Sequence, residues 1–145
     1  MLRSICRFIV WTALASACAQ TASAVEPKPQ GNWVATKAER DGASAADLVG
    51  HRLSLSGNRF EIRSKDGTSI YAGTFRVDPG ARPSAISFAH TAGELKGKAW
   101  KGIYKLEGDR LTVCDNAVDL DKPRPKTFEA AKGSGYVCIT FAKAR

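Results

Sequence analysis

The sequence predicts an all-β domain, an antiparallel up-and-down barrel of about eight strands with one short helix. Three observations carry this expectation. Apolar residues alternate with polar ones in run after run, the period of a half-buried strand. Clusters of Gly, Asp, Asn and Pro punctuate those runs at short intervals. No stretch shows a long 3.6-residue apolar period, which excludes a doubly wound α/β architecture. The chain of 145 residues has room for one ordinary domain, and its 43% hydrophobic content is too high for a disordered chain. With 13 Gly and 6 Pro it is not collagen-like either.

In chain order, the first 24 residues stand outside the fold. Arg3 and Arg7 precede the apolar run Phe8 to Ala19, and Ala22-Ser-Ala24 follows. A cationic start, a short apolar core and an A-x-A exit describe an export signal cut after Ala24. The run is too short for a membrane anchor, which needs ~20 residues. Lipid attachment at Cys18, behind Ala15-Ser-Ala17, is the alternative, although Ala15 stands where Leu is usual. Residues 25–30 form a Pro-rich lead, with Pro27 and Pro29 breaking any helix into the domain. From Gly31 to Arg145 there is no linker or internal repeat, so 31–145 reads as one domain.

Within it, Gly31-Asn32-Trp33 opens the first strand. The short helix is expected over Ser44 to Val49, with Ser44 capping its start and Gly50 ending it. Strands follow around Leu53 and Leu55, Phe60 and Ile62, Phe75 and Val77, and Ile86 and Phe88. Leu111 and Val113 mark another strand, and Val137, Ile139 and Phe141 the last. One hairpin can be registered. In Glu107-Gly108-Asp109-Arg110, Gly at the first central position suits a two-residue type II′ turn. Glu107 then opposes Arg110, Leu106 opposes Leu111, and Tyr104 opposes Val113 on the core face. Ile103, Lys105, Thr112 and Cys114 fall on the other face.

The chemistry-bearing residues form no catalytic signature. His51 and His90 are far apart, with no Cys beside either, and read as surface or strand histidines rather than metal ligands. There is no G-x-S-x-G elbow for an esterase. Gly93 to Lys98 resembles a phosphate loop that is one residue short, with Ala99 in place of the Ser or Thr. Asp115, Asp119 and Asp121 lack the central Gly and closing Glu of a calcium loop and suit Asx turns better. We therefore expect no catalytic, cofactor or metal site, and a chain that is not an enzyme.

The formal net charge is +8, and removal of Arg3 and Arg7 with the leader takes it to +6. The cations are scattered from Lys28 to Arg145, and an exported chain rarely meets nucleic acid, so the charge reads first as a solvated surface and second as weak attraction to an anionic wall or membrane component.

Gly31-x-Trp33, with basic residues near the end of the last strand, resembles the lipocalin and wider calycin pattern. In that pattern a basic side chain from the last strand lies over the Trp ring and closes the barrel end. The resemblance nominates Gly31, Trp33 and Arg145 as the barrel-end anchor, with Lys143 as the alternative cation. A longer match is carried by Gly102-Ile-Tyr-Lys-Leu-Glu-Gly-Asp-Arg-Leu-Thr-Val-Cys114, Arg124-Pro-Lys-Thr-Phe128 and Gly133-Ser-Gly-Tyr136. With Asp41-Gly42 and Gly73-Thr-Phe75, these resemble a small exported domain family first described in planctomycetes. The likeness covers essentially all of 31–145 and departs at Cys138, where that family usually has an aliphatic residue. It implies a lipocalin-like barrel in the periplasm or beyond, and it brings no activity with it.

Cys6 and Cys18 leave with the signal, so the mature chain keeps one pair, Cys114 and Cys138, in an oxidising compartment. By alternation both thiols face away from the core, and a disulfide is expected if the last two strands are neighbours. A strand inserted from residues 119–130 would separate them. Functionally, the reading is a non-enzymatic module binding a small apolar or amphipathic ligand inside the barrel. The alternative is a structural or interaction domain of the cell envelope with a barrel filled by side chains. Trp33, Phe60, Phe75, Phe88, Tyr104 and Phe141 decide between them, because together they have the bulk to fill a small barrel.

Overall fold

The computed structural model describes residues 27–145; the leader expected over 1–24 lies outside the described residues. The strands are β1 (Gly31–Arg40), β2 (Ala43–Ser44), β3 (Arg52–Ser56), β4 (Arg59–Arg63), β5 (Ser69–Asp78), β6 (Ala85–His90), β7 (Ala99–Glu107), β8 (Arg110–Asp115) and β9 (Val137–Lys143). Each of β3 to β9 pairs antiparallel with its neighbour in sequence, and β1 pairs with both β3 and β9. This closes an eight-stranded barrel, with β2 as a two-residue addition at the end of β1. Closure leaves the eight barrel strands no unpaired edge. A bulge at Thr36 re-phases β1 against β9, so Ala35 faces Phe141 while Lys37 faces Thr140.

The helix expected over Ser44–Val49 is reduced to a 3-10 turn, Ala46–Leu48. Ser44 does not cap it: Ser44 belongs to β2, opposite Glu39, and no side chain caps the turn. Pairing with the end of β1 takes the residue that local propensity offered as a cap.

The β7–β8 hairpin has the expected register, Glu107 opposite Arg110, Leu106 opposite Leu111 and Tyr104 opposite Val113. Gly108, at φ 60°, supplies the positive φ of the turn. The inward residues form one cluster: Trp33, Ala35, Leu53, Leu55, Phe60, Phe75, Ile86, Phe88, Trp100, Tyr104, Leu111, Val113 and Phe141. Gly73 makes this packing possible. A Cβ there would lie 1.9 Å from the Ala89 carbonyl oxygen and 2.9 Å from the Phe60 ring, so only glycine fits.

The two ends differ in their connections. One, the turn end, carries the residue 57–58 and 108–109 turns, the 79–84 loop and both termini of the described chain. The other, the loop end, carries the connections 41–51, 64–68, 91–98 and 116–136. The last of these folds back over the outside of β7, β8 and β9. There Ala130 and Phe128 cover Ile103, Cys114 and Cys138, a small second core. The outer face around Ile103, Cys114 and Cys138 is therefore buried where alternation alone placed it away from the core.

Candidate functional site

The sequence features that stood out turn out to be structural fixings. Cys114 and Cys138 sit directly opposite on β8 and β9, Cα atoms 4.1 Å apart, and are joined by a disulfide. No strand from 119–130 comes between them. Arg124 donates through Nη1 to the carbonyls of Ile86 (2.8 Å) and Gly102 (2.6 Å), and through Nη2 to Ser87 Oγ (2.9 Å). It thereby ties the 116–136 connection to β6 and β7. Gly102 has no room for a side chain, since a Cβ would lie 2.7 Å from the Cys114 carbonyl oxygen. Phe128, with the Lys105 ammonium 5.0 Å from its ring centre, belongs to the second core.

At the turn end, Trp33 is 1% exposed and paired directly with Lys143 across the barrel seam. The cation on its ring is Lys143, 5.6 Å from the centroid, rather than Arg145, which is exposed at the chain end. Direct cross-strand pairing gives Lys143 the shorter reach. Gly31 is at φ 103°, a conformation that favours glycine, and the Lys143 stem passes 3.5 Å from where its Cβ would be. The lead closes this end. Pro29 is fully buried, Tyr104 donates its hydroxyl to the Pro27 carbonyl (3.2 Å), and Gln30 makes two hydrogen bonds with the Gly57 backbone.

The loop end holds residues that alternation did not single out. His90 is 3% exposed and packs edge-on against Phe60, Tyr71 and Trp100, the last at 4.3 Å between ring centres. Both His90 ring nitrogens and the Trp100 indole nitrogen are buried without a hydrogen-bond partner among the described residues. Burial holds the imidazole below its usual range, and so neutral. Of the two readings expected, surface or strand, His90 takes the strand one, at the end of β6 and facing the interior. The signal available was parity: His90 shares the inward phase of Ile86 and Phe88.

Nearby, burial pushes the Asp115 carboxyl up to about 7, against the one hydrogen bond its Oδ1 accepts from Ala117 N–H (3.0 Å). Asp119 Oδ1 likewise accepts from Asp121 N–H, so these aspartates form Asx turns. Fully buried Asn116 anchors the start of the connection. It accepts from Lys101 N–H (2.8 Å) and donates to the Lys122 carbonyl (2.8 Å).

The outer face of β4 to β7 has a different character. Register places Arg59 opposite Thr74, Arg76 opposite Ser87, and Ser87 opposite Lys101. All three cations are exposed. Ion pairs join Lys37 to Glu39, Arg40 to Asp47, Arg63 to Glu61 and Lys105 to Glu107; Arg59, Arg76 and Lys101 take part in none among the described residues. At the turn-end edge of this face lies a cleft of about 410 Å³ lined by Lys28, Asn58, Thr74, Phe75, Arg76 and Val77. A second cleft, about 390 Å³, lies outside the barrel between β1 and the 3-10 turn.

The fold and these surfaces define the class: a closed eight-stranded antiparallel barrel, lipocalin-like in shape. Comparison with protein families, with curated proteins and with solved structures finds no match to this chain. The likeness to the planctomycete-type domain accordingly rests on its motifs alone, while the calycin-like architecture rests on the strands themselves.

Proposed function

We propose that this chain is an exported, non-enzymatic interaction domain, a barrel filled by its own side chains that engages an anionic envelope component through the outer face of β4 to β7. The observation that carries the reading is the set of cations without ion-pair partners among the described residues, Arg59 on β4, Arg76 on β5 and, across β6, Lys101 on β7. The outer face also carries Glu61, paired with Arg63, and Asp78, so the excess positive charge rests on these three cations, which steer an oppositely charged partner. The filled interior supports it: all six aromatic residues named from the sequence lie in the inner cluster, with Trp100 added to them. A barrel packed in this way is a rigid platform rather than a container.

Co-sedimentation with phosphatidylglycerol vesicles, against phosphatidylcholine vesicles, tests the reading. Binding should require the anionic lipid and fall with salt. It should be lost when Arg59 and Lys101 are both changed to Glu and survive when Lys37 and Lys105 are. Equal loss in both double variants, or no binding at all, sinks the proposal.

The small-ligand reading is favoured by one observation, the three unpartnered nitrogens of His90 and Trp100. Buried polar atoms need partners, and the polar group of a small amphipathic ligand at the loop end would supply them. Native mass spectrometry of protein purified from its own host separates the two readings. A stoichiometric adduct lost in His90→Phe supports a ligand; bare protein supports the filled scaffold.

A further inference from the structure

We infer that the cleft at the turn-end edge of the basic face is a phosphoryl-binding site, with Arg76 and Lys28 as its charged pair; this rests on the anionic-partner reading and names the group that partner presents. Among the described residues, the lining side chains that carry charge are both cations, and no carboxylate lines the cleft. Lys28 Nζ donates one hydrogen bond to Asn58 Oδ1 (2.8 Å) and lies 5.0 Å from the Phe75 ring centre. An ammonium has three donors, and among the described residues only one of them is used, so two can serve a ligand, with the Asn58 amide nitrogen adding another. Arg76 has no protein partner among the described residues and offers the planar fork that grips phosphate through two parallel hydrogen bonds. The Thr74 hydroxyl completes a rim rich in donors. Such a set suits an oxyanion and repels a metal cation. Asp78, the nearest acid along β5, bonds its own loop at Gly80 N–H and stands outside the lining.

The walls are already held in place. Gln30 bonds the Gly57 backbone twice, and Phe75 N–H donates to the Asn58 carbonyl (2.8 Å), which ties the lead, the residue 57–58 turn and β5 together. A volume of about 410 Å³ lies within the ordinary range for small-ligand sites, ~300–1,000 Å³, and suits a single headgroup rather than a polymer or a folded partner. Phe75 and Val77 give one apolar wall, suited to the carbon skeleton of a phosphate ester. A soluble phosphate ester and a phospholipid headgroup share this chemistry.

The test titrates the purified protein with glycerol 1-phosphate, followed by NMR, and with phosphatidylglycerol vesicles, followed by co-sedimentation. Arg76→Gln, Lys28→Gln and Lys37→Gln are compared, each removing one positive charge. Lys37 lies elsewhere and is paired with Glu39. Saturable shifts at Lys28, Asn58 and Thr74 with glycerol 1-phosphate, weakened about tenfold by Arg76→Gln but unchanged by Lys37→Gln, support the site with a soluble ester as its source. The same pattern of variants with vesicles alone supports it with the lipid headgroup as source. Equal weakening by Arg76→Gln and Lys37→Gln overturns the site and leaves the anionic-surface reading standing. Binding of neither probe overturns both.

Discussion

At the turn end of the barrel Pro29 is buried, Gln30 is bonded twice to Gly57, and Lys143 lies over a fully enclosed Trp33. At the loop end, by contrast, His90 and Trp100 leave three nitrogens without protein partners, and Asp115 is buried as a carboxyl raised to about 7. The turn end has one such nitrogen, the Trp33 indole N–H. Buried polar groups without partners are costly, so these groups offset part of the stability that packing gives the loop end. The difference teaches that this barrel concentrates its stability at the end its lead closes, and carries its strain where the long connections are. Strain of that kind persists only because the rest of the structure holds it in place. The second core beneath residues 116–136, with its disulfide and the Arg124 contacts, is what holds the loop end together.

The largest test of this contrast is Trp33→Ala, which should cost roughly 3–5 kcal/mol in urea unfolding, as aromatic truncations in cores do. A loss below about 1 kcal/mol, the range of surface changes, breaks the argument that this end is the stable one.

Asp115→Asn should do the reverse. The folded-state carboxyl titrates at about 7 and the unfolded one near 3.8, so the unfolded chain binds fewer protons between those values. The stability that Asp115 contributes is therefore fully present below about pH 4 and is lost as pH rises to about 7. Asn keeps an acceptor for Ala117 N–H and cannot ionise, so the variant should gain as much as roughly 4 kcal/mol at pH 8 and nothing at pH 3.5. His90, whose pKa is lowered, contributes the opposite slope below pH 6.5, and the difference between variant and parent isolates Asp115. A variant less stable than the parent at pH 8 removes the strain from the loop end.

Replacing both Cys114 and Cys138 with Ser should cost about 3 kcal/mol, the chain-entropy value for a loop of this length. Hydrogen exchange locates the effect: protection should fall first in residues 116–136 and last around Trp33. Uniform loss of protection would mean the two ends are a single cooperative unit. The smallest effect is expected of Lys143→Gln, about 0.5–1 kcal/mol from the lost cation–π contact at an exposed site. Arg145→Gln should be neutral, and a larger effect for Arg145 than for Lys143 would reassign the anchor.

Much of this architecture was legible in the residues. Alternation places Leu53, Leu55, Phe60, Phe75, Phe88, Leu111, Val113 and Phe141 inward, and all of them are there, because a period of two leaves a strand one buried face and a slip would expose it. Gly108 alone set the register of a hairpin, and that register carried the Cys114 thiol to the face where Cys138 meets it. The charge of the chain was equally plain, but its distribution was not. Arg59, Arg76 and Lys101 are far apart in sequence and become neighbours only through cross-strand register.

By itself, then, the sequence determined the class of fold, the inward residues, the hairpin and the shared face of the two cysteines, while the neighbourhood of β8 and β9 that joins them came from the tertiary structure. Tertiary structure alone decided that Lys143 rather than Arg145 covers Trp33, that Ser44 pairs instead of capping, and that Pro29 seals one end. It also decided that the connection 116–136 buries Ile103 and the disulfide, and that Lys28 and Arg76 face one cleft. The physical reason is shared: each depends on which distant segments closure brings together, and closure is a property of all eight strands at once.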